Sequence, residues 1–172
     1  MEAPRNLAAR VADALRGLGA LPLLILVLGV AGGILMIVAE LSTVVRVDVL
    51  TAGTCEEIAD SSLRDSCDTS GLEQHGGAFI LLGLAAIAMA LGASRRASRP
   101  AALALIAIGA IVIAISLLRD VPKANETGRV GLQFEAAEAK PGRGLYLEFV
   151  GGGLVLLAGL RGAAQRGRAP DA

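Results

Sequence analysis

The chain has 172 residues, sixteen basic and sixteen acidic side chains, no formal net charge, and 54% hydrophobic against 2% aromatic residues. Its apolar residues are blocked into long runs instead of being scattered at helix or strand period, which excludes an ordinary soluble domain. The absence of a basic region with interleaved aromatics leaves nucleic-acid binding without support. Arginine greatly outnumbers lysine, and Ala and Gly are abundant, as in proteins from GC-rich bacterial genomes.

Met1–Ala20 forms a polar start. Leu7, Val11, Leu15 and Leu18 recur at steps of four, four and three, with Arg5, Arg10 and Arg16 facing elsewhere. The pattern predicts an amphipathic helix on the inner membrane surface or a basic tail that fixes topology. Leu21–Leu41 is the first predicted span, long enough to cross roughly 30 Å of hydrocarbon. Its apolar core is longer than a signal peptide's, and no small-x-small cleavage site follows it. Gly29 and Gly33 lie on one face of this helix and predict close packing against a neighbouring helix of the same chain.

Ser42–Gly76 is an acidic loop. Val45-Arg46-Val47-Asp48-Val49 alternates as a half-buried strand does. Thr54 with Glu57, and Ser70 with Glu73, each read as a helix-capping box, the second predicting that the next spanning helix starts early and carries His75 on its first turns. The two cysteines, Cys55 and Cys67, both fall in this loop, and a disulfide between them is the economical expectation. Some four-span quinone-linked thiol oxidoreductases also carry outer cysteines. They resemble this chain in topology only, because they need a close Cys-x-x-Cys pair that is missing here.

Gly77–Ala93 and Ala101–Leu118 are the second and third predicted spans, joined by the basic hairpin Ser94–Pro100. Arg95, Arg96 and Arg99 have no acidic counterweight there, so the positive-inside bias assigns the hairpin to the cytoplasm. Ala86, Ala90 and Ser94 on the second helix, and Ala107, Ala110 and Ala114 on the third, predict small-residue packing ridges. Ser116 is expected to bond back to its own helix backbone.

Arg119–Arg143 is a second outer loop of balanced charge. Val130–Lys140 reads as a short amphipathic helix, with a strand through Val130, Leu132 and Phe134 pairing with Val45–Val49 as the rival. Gly144–Leu160 is the fourth predicted span, and Arg161–Ala172 is a basic tail on the same side as the hairpin.

The expected fold is therefore an all-α membrane protein. A four-transmembrane-helix bundle, both termini cytoplasmic, carries a small disulfide-bonded extracytoplasmic cap holding a short strand or helix. Two ordered outer loops on four spans resemble the claudin-like tetraspan layout. The Trp and the Gly-Leu-Trp…Cys…Cys pattern of that family are missing, so no functional residues carry over.

The span centres lack ionisable residues, which argues against a buried-carboxylate proton exporter or an intramembrane protease. The polar exceptions gather near the outer ends: Glu40, His75, Arg119, Asp120 and Glu148, with Tyr146, Phe79 and Phe149 at the same level. They read first as an aromatic belt with an ion pair, and second as an outward-facing pocket for a ligand. One histidine among scattered carboxylates is a weak metal signal, so no metal or cofactor is expected. The function expected is a non-catalytic protein of the cell membrane whose outer cap binds a membrane or envelope protein or senses the envelope. A small oligomeric channel or transporter is the alternative, and a second copy of the chain is a further possible partner besides the bilayer.

Overall fold

The computed structural model of the chain describes residues 19–49, 61, 66–96, 98–134 and 137–164. The segment expected to be an N-terminal helix or basic tail, the expected capping box at Thr54 and Glu57, Cys55 and the residues from 165 onward lie outside the described residues.

Helix α1 is Ala20–Glu40, followed after two residues by strand β1, Thr43–Val49. Strand β2, Asp68–Ser70, leads directly into the short helix α2, Gly71–His75, and then into α3, Ala78–Arg96. Helix α4, Arg99–Lys123, is long and includes a π-helical turn at Ser116–Asp120. Helix α5, Gly128–Gln133, precedes strand β3, Ala137–Pro141, and a single residue then separates β3 from α6, Arg143–Ala164.

The four long helices form a ring in which α1 packs on α3 and α6, and α4 packs on the same two. Small residues let the helices approach closely around a core that also holds Ile25, Met36, Phe79, Leu105 and Val155. Gly29, Gly32 and Gly33 of α1, Ala86 and Ala90 of α3, Gly109 of α4, and Gly151 and Gly159 of α6 face inward. Leu24, Val27 and Ile34 of α1, Leu81 and Leu84 of α3, Leu103 and Ile111 of α4, and Val150 and Leu157 of α6 are exposed. Small residues at helix contacts with aliphatic residues outside are what packing in lipid favours, since lipid rewards close backbone approach and does not penalise exposed Leu.

The close approach is tightest where α1 crosses α3. A Cβ built on Gly33 would sit 2.7 Å from the Gly83 carbonyl oxygen, and one on Gly83 would sit 2.6 Å from that of Gly33. The expected pairing within the chain is thus observed. On α4 the packing face is Ala101, Ala102, Leu105, Ile108, Gly109 and Val112, whereas Ala107, Ala110 and Ala114 are exposed. The predicted ridge on that helix is therefore corrected. Alanine is so frequent on α4 that spacing alone does not select a face.

Two features bear on the fold class. Among the described residues three helices, α1, α4 and α6, are long and apolar enough to cross a membrane. The apolar part of α3 runs only over Ala78–Ser94. At 1.5 Å per residue its seventeen residues reach about 25 Å, short of roughly 30 Å of hydrocarbon. The chain is also not all-α, because the cap is a three-stranded antiparallel sheet in the order β2-β1-β3.

In that sheet Val45 pairs with Thr69 and Pro141, and Val47 with Ala139. The strand that joins β1 is Ala137–Pro141, so the residues expected to be helical split into α5 and β3. Like charges stand opposite at Arg46–Lys140 and Asp48–Glu138. They are relieved by contacts of 3.1 Å from Arg46 to Asp68 and from Lys140 to Asp48. Behind the sheet, Val47, Val49, Cys67 and Val130 form a small core with Phe134. Val44, Val45 and Leu145 form a second core that seats the sheet on α6.

Placing a methyl at Gly33 forces the α1 and α3 backbones apart. Gly33→Ala is expected to destabilise by about 1–3 kcal/mol, in the range of overpacked cores. At Gly153 a Cβ meets nothing within 4 Å, so Gly153→Ala is expected to be neutral or up to about 1 kcal/mol stabilising through helix propensity. Thermal unfolding of the two variants in the same detergent checks the pair.

Candidate functional site

The polar residues near the cap end of the helices converge on one buried point. Glu40 closes α1 and is fully buried, its Oε1 accepting a 2.6 Å hydrogen bond from the Gly77 N–H. Helix α2 is placed against it by Gly71, whose absent Cβ would lie 2.7 Å from the Glu40 Cα. Ser70 and Glu73 cap α2 reciprocally: Ser70 Oγ accepts from the Glu73 N–H, and the Ser70 N–H donates to Glu73 Oε2 at 3.0 Å. This satisfies backbone donors that a five-residue helix would otherwise leave open.

The helix then stops at Gly76 and Gly77, with φ of 63° and 88°, so α3 does not start early and His75 belongs to a separate turn. Left-handed φ at two consecutive positions favours Gly, which lacks a Cβ. The break aims Gln74 and His75 inward. The His75 ring stacks on Phe79, centroids 4.4 Å apart and planes inclined by 18°. Phe79 is fully buried beneath it and does not belong to a surface aromatic belt.

From α4 the π-helical turn brings in two more groups. Ser116 and Asp120 are fully buried, while Leu117 and Leu118 between them are exposed. Pro122 supplies a local cause, since it has no N–H for the Leu118 carbonyl and its ring crowds that oxygen, which widens the turn ahead of it. Single π turns inside α-helices are frequent at functional sites. Ser116 Oγ donates to Glu148 Oε2 at 3.0 Å instead of to its own helix. Gln74 Nε2 donates to Asp120 Oδ1. Arg119 Nη2 donates to the Gln74 carbonyl at 3.1 Å.

Glu148, the sixth residue of α6, completes the group. His75 Nε2 lies 3.4 Å from Glu148 Oε1 and 3.6 Å from Asp120 Oδ2, with the imidazole 2% exposed and both carboxylates fully buried. Among the described residues, the buried side-chain polar atoms without a hydrogen-bond partner are Glu40 Oε2, His75 Nε2, Asp120 Oδ2 and Glu148 Oε1. All four belong to this one cluster. Taking a carboxylate out of water costs several kcal/mol unless a cation compensates it. Burial works against a charge on His75, but the nearby carboxylates of Glu148, Asp120 and Glu40 outweigh it and hold the imidazole pKa above its ordinary value.

Of the residues picked out from the sequence, Glu40, His75, Asp120 and Glu148 meet here, and Arg119 reaches the edge. Tyr146 does not: it is 61% exposed on the outside of α6. Cys67 sits in the small core behind the sheet, and no cysteine among the described residues is free. Gln74 is a contributor the sequence did not single out, and Ser116, expected to bond back to its own helix, is corrected to a donor to Glu148. Gln74 immediately precedes the lone His, and Ser116 is the only hydroxyl in its apolar run, which is the signal each offers.

Comparison of the chain with protein-family models, curated proteins and solved structures returns no match. The site is therefore read from its own chemistry.

Ser116→Ala removes the hydrogen bond held by Glu148 Oε2. Leaving a buried acceptor unsatisfied costs about 1–3 kcal/mol, and that loss of stability is expected. Tyr146→Phe, outside the cluster, is expected to stay within about 0.5 kcal/mol. Denaturant titration in detergent, followed by circular dichroism, measures both.

Proposed function

We propose that the chain is a non-catalytic, multi-pass membrane protein whose outer cap receives a membrane or envelope protein and passes that state to the helices beneath. In this reading α3 is a fourth crossing, tilting little and thinning the bilayer locally, with the hairpin and both termini cytoplasmic. Cys55 and Cys67 cross-link the cap.

One observation carries the reading. The last residue of α1, the short helix under the sheet, the π turn of α4 and the first turns of α6 all contribute side chains to one buried polar cluster. A shift of the cap must therefore move helix ends. The sheet also offers a docking feature, a groove of about 660 Å³ lined by residues that include Arg46, Asp48, Lys140 and Arg143. Charges of both signs there suit a polypeptide partner. The exposed aliphatic residues on every long helix support the bilayer as the surroundings.

Two measurements test this. A photo-crosslinking residue in place of Lys140 is expected to capture a specific membrane or envelope protein in cells, and Cys55→Ser is expected to abolish capture. With the cysteine pair oxidised, an impermeant maleimide is expected to reach Leu132→Cys, at a position 87% exposed, only from outside. Labelling only from the cell interior overturns the topology. Solute flux in reconstituted vesicles that Glu148→Gln abolishes replaces this reading with transport.

A further inference from the structure

The cap-end cluster has the layout of a metal site. His75 Nε2, Asp120 Oδ2 and Glu148 Oε1 lie within 4.8 Å of one another, each buried and each without a hydrogen-bond partner. In each carboxylate the other oxygen is already held. Gln74 Nε2 donates to Asp120 Oδ1, and Ser116 Oγ donates to Glu148 Oε2. Phe79 fixes the plane of the imidazole. Outer partners that orient ligands while leaving one lone pair of each converging on a common point are the usual surroundings of a bound metal.

A shared proton fits the distances less well. A charge-assisted N–H···O contact closes to about 2.7–2.9 Å, whereas His75 Nε2 stands 3.4 Å and 3.6 Å from its two neighbours. The two histidine separations match a different geometry, and the two carboxylate oxygens lie within 4.8 Å of each other. Bonds of about 2.0–2.2 Å to a tetrahedral zinc ion place its ligands about 3.3–3.6 Å from one another. Octahedral magnesium, with bonds of about 2.0–2.1 Å, would place adjacent ligands nearer about 3.0 Å. One imidazole with two carboxylates also suits zinc better than the all-oxygen sets of calcium and magnesium.

We propose that His75, Asp120 and Glu148 bind one zinc ion, with a buried water as the fourth ligand. The ion's charge balances Asp120 and Glu148, and neutral His75 supplies the nitrogen lone pair. The site ties α2, α4 and α6 together. It stands whether or not the cap receives a protein partner, so its failure leaves the capture experiment's outcome untouched.

The test uses the full-length protein, oxidised, stripped with chelator and purified in detergent. Titration calorimetry with zinc is expected to show one ion per chain and an upward shift of several degrees in the thermal midpoint. Cobalt is expected to give the intense visible bands of a four-coordinate ion. His75→Gln, Asp120→Asn and Glu148→Gln are each expected to weaken zinc binding at least about tenfold, and Glu138→Gln on the sheet surface is expected to leave it unchanged. The stripped wild-type protein, well folded, failing to bind zinc overturns the proposal. So does binding that survives all three ligand substitutions, or cobalt spectra of a six-coordinate ion. If a variant fails to fold, the wild-type cobalt spectrum still decides.

Discussion

The structure depends on how three carboxylates and one imidazole are kept out of water at a single junction. Carboxylates only accept hydrogen bonds, so packing Glu40, Asp120 and Glu148 around His75 is tolerable only with a donor on one oxygen of each and positive charge near the other. Gly77, Gln74 and Ser116 supply the donors. They come from the glycine break, the capped short helix and the π turn respectively, so each local irregularity of the backbone has a polar group to satisfy.

Beneath the junction the energetics change character. The helices meet at glycine and alanine positions where backbones nearly touch, around larger side chains such as Ile25, Met36, Phe79 and Leu105 that fill the core by dispersion. Above it, a small sheet with two modest apolar cores would be marginal by itself, since three short strands bury little area. The cap borrows support from α6 through Val44 and Leu145, and from the junction below.

Much of this was legible in the sequence, and the parts that were not share a cause. The apolar blocks, the capping residues Ser70 and Glu73, and the alternation of Val45, Val47 and Val49 are local signals with local meaning. Strand β3 is not: Ala-Glu-Ala-Lys-Pro has poor strand propensity, and pairing with β1 sets its conformation. The face of α4 was hidden by an excess of alanine. The stop after His75 could be read from Gly76-Gly77, but an apolar run immediately following suggested continuity. Tyr146 and Glu148 differ by two residues, hence by about 200° around a helix, and only tertiary packing says which of them turns inward.

The connectors between sheet and helices are very short: Leu41 and Ser42 join α1 to β1, and Gly142 joins β3 to α6. Since β1 and β3 are hydrogen-bonded neighbours, α1 and α6 are clasped at one end by what amounts to a rigid yoke. Neither helix can roll about its own axis without dragging the other. The opposite ends have no such short covalent link and are held by side-chain packing alone, a Cβ on Gly162 of α6 coming 3.9 Å from Ile25 of α1.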